Sequence, residues 1–344
     1  MESKLKFAFN RLLWSVFVIV GLSILIFTIA RIFPGDPARM ALGPRAPQDV
    51  VNKLREEMNL DKPLPVQYFM WAKGVLTGDF GQSLRTKRNV VEDVKEYFPA
   101  TAELLMYYLI VVIIFSTFLG TLSARYKDTW IDNGIRSVTY VLVAMPTFVT
   151  ALLLTLIFGY WFHLLPVIGR LSQGIIAPTH ITGFYTIDAL ITMNYVVFWD
   201  ALKHLILPVT SLALIAISSE ARVTRSSMVE NMKKDYILAP RGFGVPENVI
   251  QYKYLLKPSM IPTVTLIALD LGYAFGNAFL VEKIFLWPGF SRYGMESMLA
   301  KDLNAISIVI IIVGIVFVVS NVVVDIIVGF LDPRTRLTSK AMKG

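Results

Sequence analysis

Six long apolar stretches constrain the fold of this 344-residue chain more than any other feature. Hydrophobic residues make up 55% of the chain, and the excess over an ordinary soluble domain is concentrated in blocks. A hydrocarbon core about 30 Å thick is crossed by roughly 20 residues of α-helix. The stretches are 12–30, 104–124, 137–169, 205–219, 259–281 and 303–324. They predict an all-α integral membrane protein with six transmembrane helices.

Three apolar regions have features of their own. The segment 175–197 is interrupted by proline and glycine and has Asp188 near its middle, so we expect an external loop that partly lies on the membrane. Glu220 and Arg222 directly follow the short fourth stretch, and we expect them near the interface. The first stretch is longer than the roughly 7–15 apolar residues of a signal peptide, and we expect a retained anchor.

Basic residues predict the orientation of these helices. With the N-terminus inside, the short cytoplasmic segments carry seventeen lysines and arginines, and the short external segments carry five. Because short loops rich in lysine and arginine stay in the cytoplasm, both termini are expected there. This bias accounts for the net charge of +8. No recognisable nucleic-acid-binding module accompanies it, so we expect a lipid bilayer and no nucleic acid as a partner.

The long external region 34–100 is expected to have structure of its own. Apolar residues in 48–60 follow helical spacing and predict a short amphipathic helix. A turn-like segment is expected over 61–84, and a further short helix over 90–97 leads to Pro99 and the second span. This region either seals the outer mouth of the helices or offers a docking surface to an external protein.

A polar, helix-forming segment over 221–264 separates two of the apolar stretches. It contains a helical run, a break at Gly242 and Gly244, and a second basic amphipathic run. A loop that only joined two spans would not need so much helix-forming sequence. The segment is therefore interpreted as a surface for a partner outside the bilayer, with a solvated linker as the alternative.

The sequence offers no catalytic site. It lacks the Gly-rich phosphate loop of ATP-binding proteins, and it contains no cysteine. His163, His180 and His204 are scattered without metal-ligand spacing, so neither a metal site nor a catalytic set is expected.

One charge, Asp270, lies inside the fifth apolar stretch. A charge at a helix centre costs ~2.5–3.5 kcal/mol on insertion scales and usually faces a bundle interior or a water-filled cavity. Gly272 and Gly276 form a small-residue face that permits close helix contact, and Asp270, Tyr273 and Asn277 follow an adjacent face. These three residues are predicted to line a translocation path, with inter-helix packing as the alternative.

A series of motifs resembles the inner-membrane permeases of dipeptide, oligopeptide and nickel ABC importers. The motifs are FPGDP (33–37), NLDKPLPVQYFMW (59–71), GDFGQSL (78–84), FPATAEL (98–104), HLILPVTSLAL (204–214), ARVTRSSMVE (221–230), FLWPGFSRYG (285–294) and LDPRTRL (331–337). A single motif such as WPG is weak evidence, but the whole series in order over most of the chain is specific.

The resemblance gives the cytoplasmic loop 221–258 a role, since the family's coupling loop carries a short helix that sits in a groove on an ATPase. Gly244 takes the place of the loop glycine. The implied coupling residues are Asp235, Tyr236, Ile237, Leu238, Ala239, Arg241 and Gly244. Pro240 stands where the family usually has alanine, and Phe243 where it often has lysine. Because proline ends a helix or opens its first turn, we expect the docking helix to begin or bend at Pro240.

The resemblance also implies a single domain over 1–344 with the architecture of a type I ABC importer permease in the inner membrane. Its implied partners are a similar but non-identical permease, two ABC ATPase subunits and an extracytoplasmic solute-binding protein. ATP and magnesium would be bound by the ATPase subunits, so this chain is expected to hold no cofactor. The implied substrate is a peptide, with oligosaccharides or a nickel chelate as alternatives. An ion-coupled secondary transporter is the other candidate class, but its usual inverted repeat is not visible in the sequence.

Overall fold

The structure is a computed structural model that describes residues 17–18, 20–21, 23–25, 27–28, 37–43, 45–57, 59–300 and 302–331. Most of the predicted first span lies outside these residues. The motifs 33–37 and 331–337 also lie outside them, except for residues 37 and 331. Every regular element within these residues is a helix. In chain order these are α1 Pro37–Leu42, α2 Gln48–Glu57, α3 Leu64–Thr77, α4 Val90–Arg125, α5 Trp130–Ala144, α6 Thr147–Leu154 with a π-helical extension Thr155–Trp161, α7 Tyr185–Ile191, α8 Tyr195–Asn231, α9 Asp235–Gly242, α10 Glu247–Ile284, α11 Phe290–Leu299 and α12 Leu303–Leu331.

Within the described residues, four helices are long and apolar enough to cross a membrane. They are α4, α8, α10 and the Asn304–Val324 part of α12. Each contains one predicted apolar stretch, which confirms those four stretches as helices.

The third predicted span, 137–169, is a broken pair instead of one helix. α5 and α6 meet at an angle of 107°. Met145 is extended, with ψ of 125°, and Pro146 follows with ψ of 142°. Proline has no N–H to donate and pushes the residue before it out of the helical region, so the helix ends at Ala144.

Region 34–100, which is predicted to be external, contains a helix that the sequence did not predict. Residues 61–84 were expected to be turn-like, but Leu64–Thr77 forms α3. Prolines at its start and Gly78 at its end, with φ of 80°, are ordinary helix boundary signals. Tyr68 and Trp71 lie three residues apart on one face of α3. The centres of their rings lie 5.4 and 5.8 Å from the centre of the Phe27 ring. The predicted amphipathic helix over 48–60 is confirmed as α2.

α4 runs without a break through Pro99, where a short helix and a separate span were expected. Aromatic packing holds the helix in register beside the proline. The ring of Tyr97 stacks on Tyr293 at 5.1 Å, and Phe98 meets Phe290 edge-on at 5.7 Å. These contacts offset the single backbone hydrogen bond that Pro99 cannot make.

The chain divides into two compact units, 1–100 with 288–318 and 101–287 with 319–344. In the second unit, α8 is central and packs against α5, α6, α7 and α10. Its buried face extends beyond the predicted span 205–219, because α8 continues to Asn231. Glu220, which was expected near the interface, is fully buried on this helix.

Candidate functional sites

The predicted docking helix is present as α9, which begins at Asp235. Asp235 lies in its first turn, where a carboxylate is favoured by the helix dipole. The helix was expected to begin or bend at Pro240. Pro240 lies inside the helix, so the first of these alternatives is wrong. A proline at this sixth position costs one backbone hydrogen bond, and the helix ends two residues later at Gly242.

Gly244 ends α9 in a Schellman motif. Its φ is +74°, and its N–H donates to the carbonyl of Arg241 at 3.1 Å. The N–H of Val245 donates to the carbonyl of Pro240, also at 3.1 Å. A left-handed residue in this place satisfies the last helical carbonyls, and glycine adopts that conformation without the steric cost of a side chain. The predicted loop glycine is therefore the residue that stops the helix.

The side chains of α9 divide between an inner and an outer face. Ile237 is 0% exposed and packs in a cluster with Met228, Ile250, Leu255 and Ala124. Ile237 is one of the residues predicted to contact a partner, but its side chain is buried within its own chain. Its chain neighbours Tyr236 and Leu238 form the outer face, with exposures of 45% and 47%. Phe243, directly after the helix, is 87% exposed.

Polar contacts fix the ends of α9. Arg241 donates from Nε and Nη2 to the two carboxylate oxygens of Glu247, at 3.1 and 2.5 Å. The hydrogen bond to this carboxylate raises the pKa of Arg241. The hydroxyl of Tyr236 donates to Oδ1 of Asn231 at 2.9 Å. Asp235 and Ala239 are exposed, so the predicted coupling residues other than Ile237 lie at the surface.

A second polar site lies within the apolar helices, where α8 meets α10. Glu220 on α8 is fully buried, and neither carboxylate oxygen has a hydrogen-bond partner among the described residues. Asp270 on α10 and Ser116 on α4 lie close enough to act on this carboxylate. The structure thus brings two acidic side chains together inside the helical unit, of which the sequence singled out only Asp270.

Asp270 also borders a cavity of about 560 Å³. Its lining residues are Arg136, Tyr140, Ser219, Arg222, Val223, Arg225, Ser226, Leu266 and Asp270. Three of them are arginines, which in the sequence indicate only the orientation of the helices. The spacing of Arg222 and Arg225 on one helix, close to Glu220, is the signal that could have indicated a polar site.

The other two predicted path residues do not join Asp270 in this cavity. Tyr273 is 71% exposed, and Asn277 is also exposed on α10. A side chain added at Gly276 would meet nothing within 4 Å. Within the described part of the chain, this face of α10 is therefore unpartnered at Tyr273, Gly276 and Asn277.

Two family models match the chain. Residues 116–337 match the inner membrane component of binding-protein-dependent transport systems. Residues 4–105 match the N-terminal part of a membrane component of such systems.

Similar proteins of nearly the same length carry transport names. The chain is 37% identical to the probable D,D-dipeptide transport system permease protein of Escherichia coli strain K12, over 93% of this chain and 94% of the relative. It is 36% identical to a dipeptide transport system permease protein of Alkalihalophilus pseudofirmus, over 96% and 99%. It is 30% identical to a glutathione transport system permease protein of Salmonella typhimurium, again over 96% and 99%.

Proposed function

The chain belongs to the family of inner membrane components of binding-protein-dependent transport systems, and we propose that it forms half of the translocation path of an ATP-driven peptide importer. It is a multi-pass membrane protein and a non-catalytic permease subunit. The peptide substrate is proposed because relatives that cover nearly the whole chain are named for dipeptide or glutathione transport.

The proposed topology has six transmembrane helices with both termini in the cytoplasm. Four apolar helices and the α5–α6 pair supply up to five spans within the described residues. The apolar stretch 12–30 supplies the sixth. The excess of lysine and arginine in the segments that include α9 supports a cytoplasmic position for that helix.

The proposed partners are a second, non-identical permease, two ATPase subunits that bind ATP and magnesium, and an external solute-binding protein. The observation that carries this proposal is that one face of α9 is buried within its own chain while the other face is exposed. Ile237 is fixed within its own chain, whereas Tyr236, Leu238 and Phe243 leave an apolar surface exposed. Apolar and aromatic side chains of this kind form the centres of protein interfaces.

The cluster around Ile237 explains how movement of α9 would reach the membrane helices. Met228 belongs to α8, while Ile250 and Leu255 belong to α10. A force that displaces α9 must therefore displace the cytoplasmic ends of α8 and α10, because packed interiors transmit strain. The same helices carry Glu220 and Asp270. ATP-driven closure of the ATPases would change the helix packing at this polar site, as alternating access requires.

A matched pair of variants tests the docking surface. Phe243 and Leu76 are each 87% exposed, so an aspartate at either position leaves the internal packing of the chain unchanged. The chain is co-expressed with the ATPase subunits of its transport system, and the co-purified ATPase is measured. Phe243→Asp is expected to lose most of it, because a desolvated charge without a partner is costly at an interface. Leu76→Asp, in the proposed external region, is expected to retain it. Equal retention by both variants would overturn the proposed docking face.

A further inference from the structure

The cavity beside Asp270 has the size of a small-molecule site and charges of both signs. Its volume, about 560 Å³, falls within the roughly 300–1,000 Å³ that ligand pockets occupy. It lies within one compact unit, with walls from α5, α8 and α10. An apolar translocation path would need neither the arginines nor the carboxylate.

The three arginines of the cavity are not equivalent. Arg225 is neutralised by Asp132, to which it donates from Nε at 2.6 Å and from Nη2 at 2.5 Å. Arg222 is positioned instead by the carbonyl of Ser218, at 3.2 Å, and by the ring of Tyr140, 5.3 Å from its guanidinium carbon. The side chain of Arg136 forms no ion pair or hydrogen bond with any described residue. Two guanidinium groups are thus left without a carboxylate.

The acidic groups at the cavity likewise lack a partner of opposite charge among the described residues. Asp270 forms no ion pair with the residues that the structure describes, and behind it Glu220 is fully buried with both oxygens unpartnered. Buried carboxylates are normally paired or hydrogen-bonded, because an unpartnered one is costly. A cation that entered the cavity would supply the missing partner, and a primary ammonium with three donors suits two neighbouring carboxyl groups.

We infer that this cavity is a transient site for a short zwitterionic peptide, in which Arg136 and Arg222 hold the terminal carboxylate and Asp270, beside Glu220, holds the terminal ammonium. Guanidinium groups bind carboxylates through two parallel hydrogen bonds, which a neutral amide cannot reproduce. This inference rests on the proposed function and adds that the permease itself recognises both free ends of the peptide.

The test uses the complete transporter in nanodiscs of phosphatidylcholine, without the binding protein. The probes are Ala-Ala, its N-acetyl derivative and its C-terminal amide, whose affinities are compared by equilibrium dialysis. The unmodified complex is expected to bind Ala-Ala at least about tenfold more tightly than either blocked form, since a charge-assisted hydrogen bond contributes about one such factor or more. Arg136→Gln or Arg222→Gln should abolish the preference for the free carboxylate, and Asp270→Asn the preference for the free amine.

The selectivity of these losses separates recognition from a folding defect, which would weaken all three probes alike. Arg136→Lys keeps the charge but loses the paired hydrogen bonds, so it should give an intermediate preference. Tyr160→Phe, at a 70% exposed position outside this cavity, serves as the unchanged control. If the variants bind the three probes with unaltered ratios, or if the unmodified complex has no preference between them, the inference is overturned.

Uptake into proteoliposomes distinguishes failure of the inferred recognition site from failure of the proposed function. With the binding protein and ATP added, a peptide importer without a recognition site of its own would still take up Ala-Ala. Absence of ATP-dependent uptake of Ala-Ala and longer peptides by the unmodified complex would instead reject the peptide function itself.

Discussion

Nη2 of Arg170 donates to Oε2 of Glu103 at 2.6 Å, and both side chains are buried. The other contacts of this pair bind a loop to α4. Arg170 also donates to the carbonyl of Gly183 at 2.8 Å, and its guanidinium carbon lies 3.5 Å from the centre of the Tyr185 ring. Oε1 of Glu103 accepts from the N–H and hydroxyl of Thr186, at 2.8 and 2.7 Å. A single ion pair thus fixes both ends of the segment between Arg170 and α7.

Breaking this ion pair from either side should destabilise the segment strongly. We expect Arg170→Gln and Glu103→Gln each to cost ~3–5 kcal/mol, because each leaves an uncompensated buried charge. The double variant should cost clearly less than the sum of the two. The measurement is a double-mutant cycle on thermal unfolding of the purified chain, with proteolysis within residues 171–183 as a local readout. Additive costs would show that the two charges are not coupled.

Gly244 and Gly242 form a matched pair for testing the end of α9. A side chain at either position meets nothing within 4 Å, but only Gly244 has a positive φ, +74°. Gly244→Ala should destabilise the end of the helix by ~1–2 kcal/mol. Gly242→Ala should be neutral or stabilise it by ~0.5–1 kcal/mol. Hydrogen exchange of the amides of residues 241–245 reports this difference. Equal protection in both variants would contradict the role assigned to the Schellman motif.

The long apolar helices and α9 follow from local sequence, but the contacts of their side chains do not. Tyr236, Ile237 and Leu238 are consecutive and therefore point about 100° apart, so only one of them can face the core. Which one does so depends on Met228 and Leu255, on other helices.

The same distinction applies to the polar cavity. Asp270 was recognisable as a charge inside an apolar stretch. That Asp270 shares a cavity with Arg136 and lies beside Glu220 depends on how α5, α8 and α10 pack, which no spacing within one helix reveals. The broken helix at Pro146 and the α3 boundaries at Pro63 and Gly78 were, by contrast, available as local signals.

Asp188 should give the loop before α7 resistance to mild acid. Its carboxylate accepts from the N–H groups of Ile181, Thr182 and Gly183 at 3.2, 2.8 and 2.9 Å, and from the Thr182 hydroxyl at 2.7 Å. Burial alone would raise the pKa of Asp188, but these hydrogen bonds outweigh it and hold the pKa below its ordinary value. The stabilisation is therefore complete above the ordinary aspartate pKa of about 3.9 and is lost as the pH falls through the lowered pKa.

Hydrogen exchange of residues 181–183, corrected for intrinsic rates, checks this dependence. Protection should be constant between about pH 7 and pH 5 and fall only below about pH 4. Asp188→Asn should reduce it throughout, without this pH dependence, because a neutral amide accepts fewer and weaker hydrogen bonds. A decline already between pH 7 and pH 5 in the unmodified chain would contradict the lowered pKa.

Among the basic residues of 85–88, a segment predicted to be external, only Lys87 forms no ion pair with the described residues. Its neighbours Arg85 and Arg88 carry the same charge. Arg85, however, pairs with Glu296 at 2.6 Å, and Arg88 pairs with Asp93 at 2.6 Å and Glu96 at 2.7 Å. Hydrogen bonding to Glu96 raises the pKa of Arg88. Reversing all three charges would therefore disturb the fold as well as any encounter.

Lys87→Glu alone should slow association with the proposed external binding protein, because rim charges act on the association rate more than on affinity. The side chain of Lys87 is exposed and makes no ion pair with the described residues, so the fold should not change. We expect the association rate, measured by surface plasmon resonance on nanodiscs, to fall severalfold at low salt and to recover at high salt as screening removes the field. Lys257→Glu makes the same charge change at an exposed position on α10, proposed to face the cytoplasm, and should leave the rate unchanged. An equal effect of the two variants would assign the change to net charge, and no effect of either would exclude Lys87 from docking.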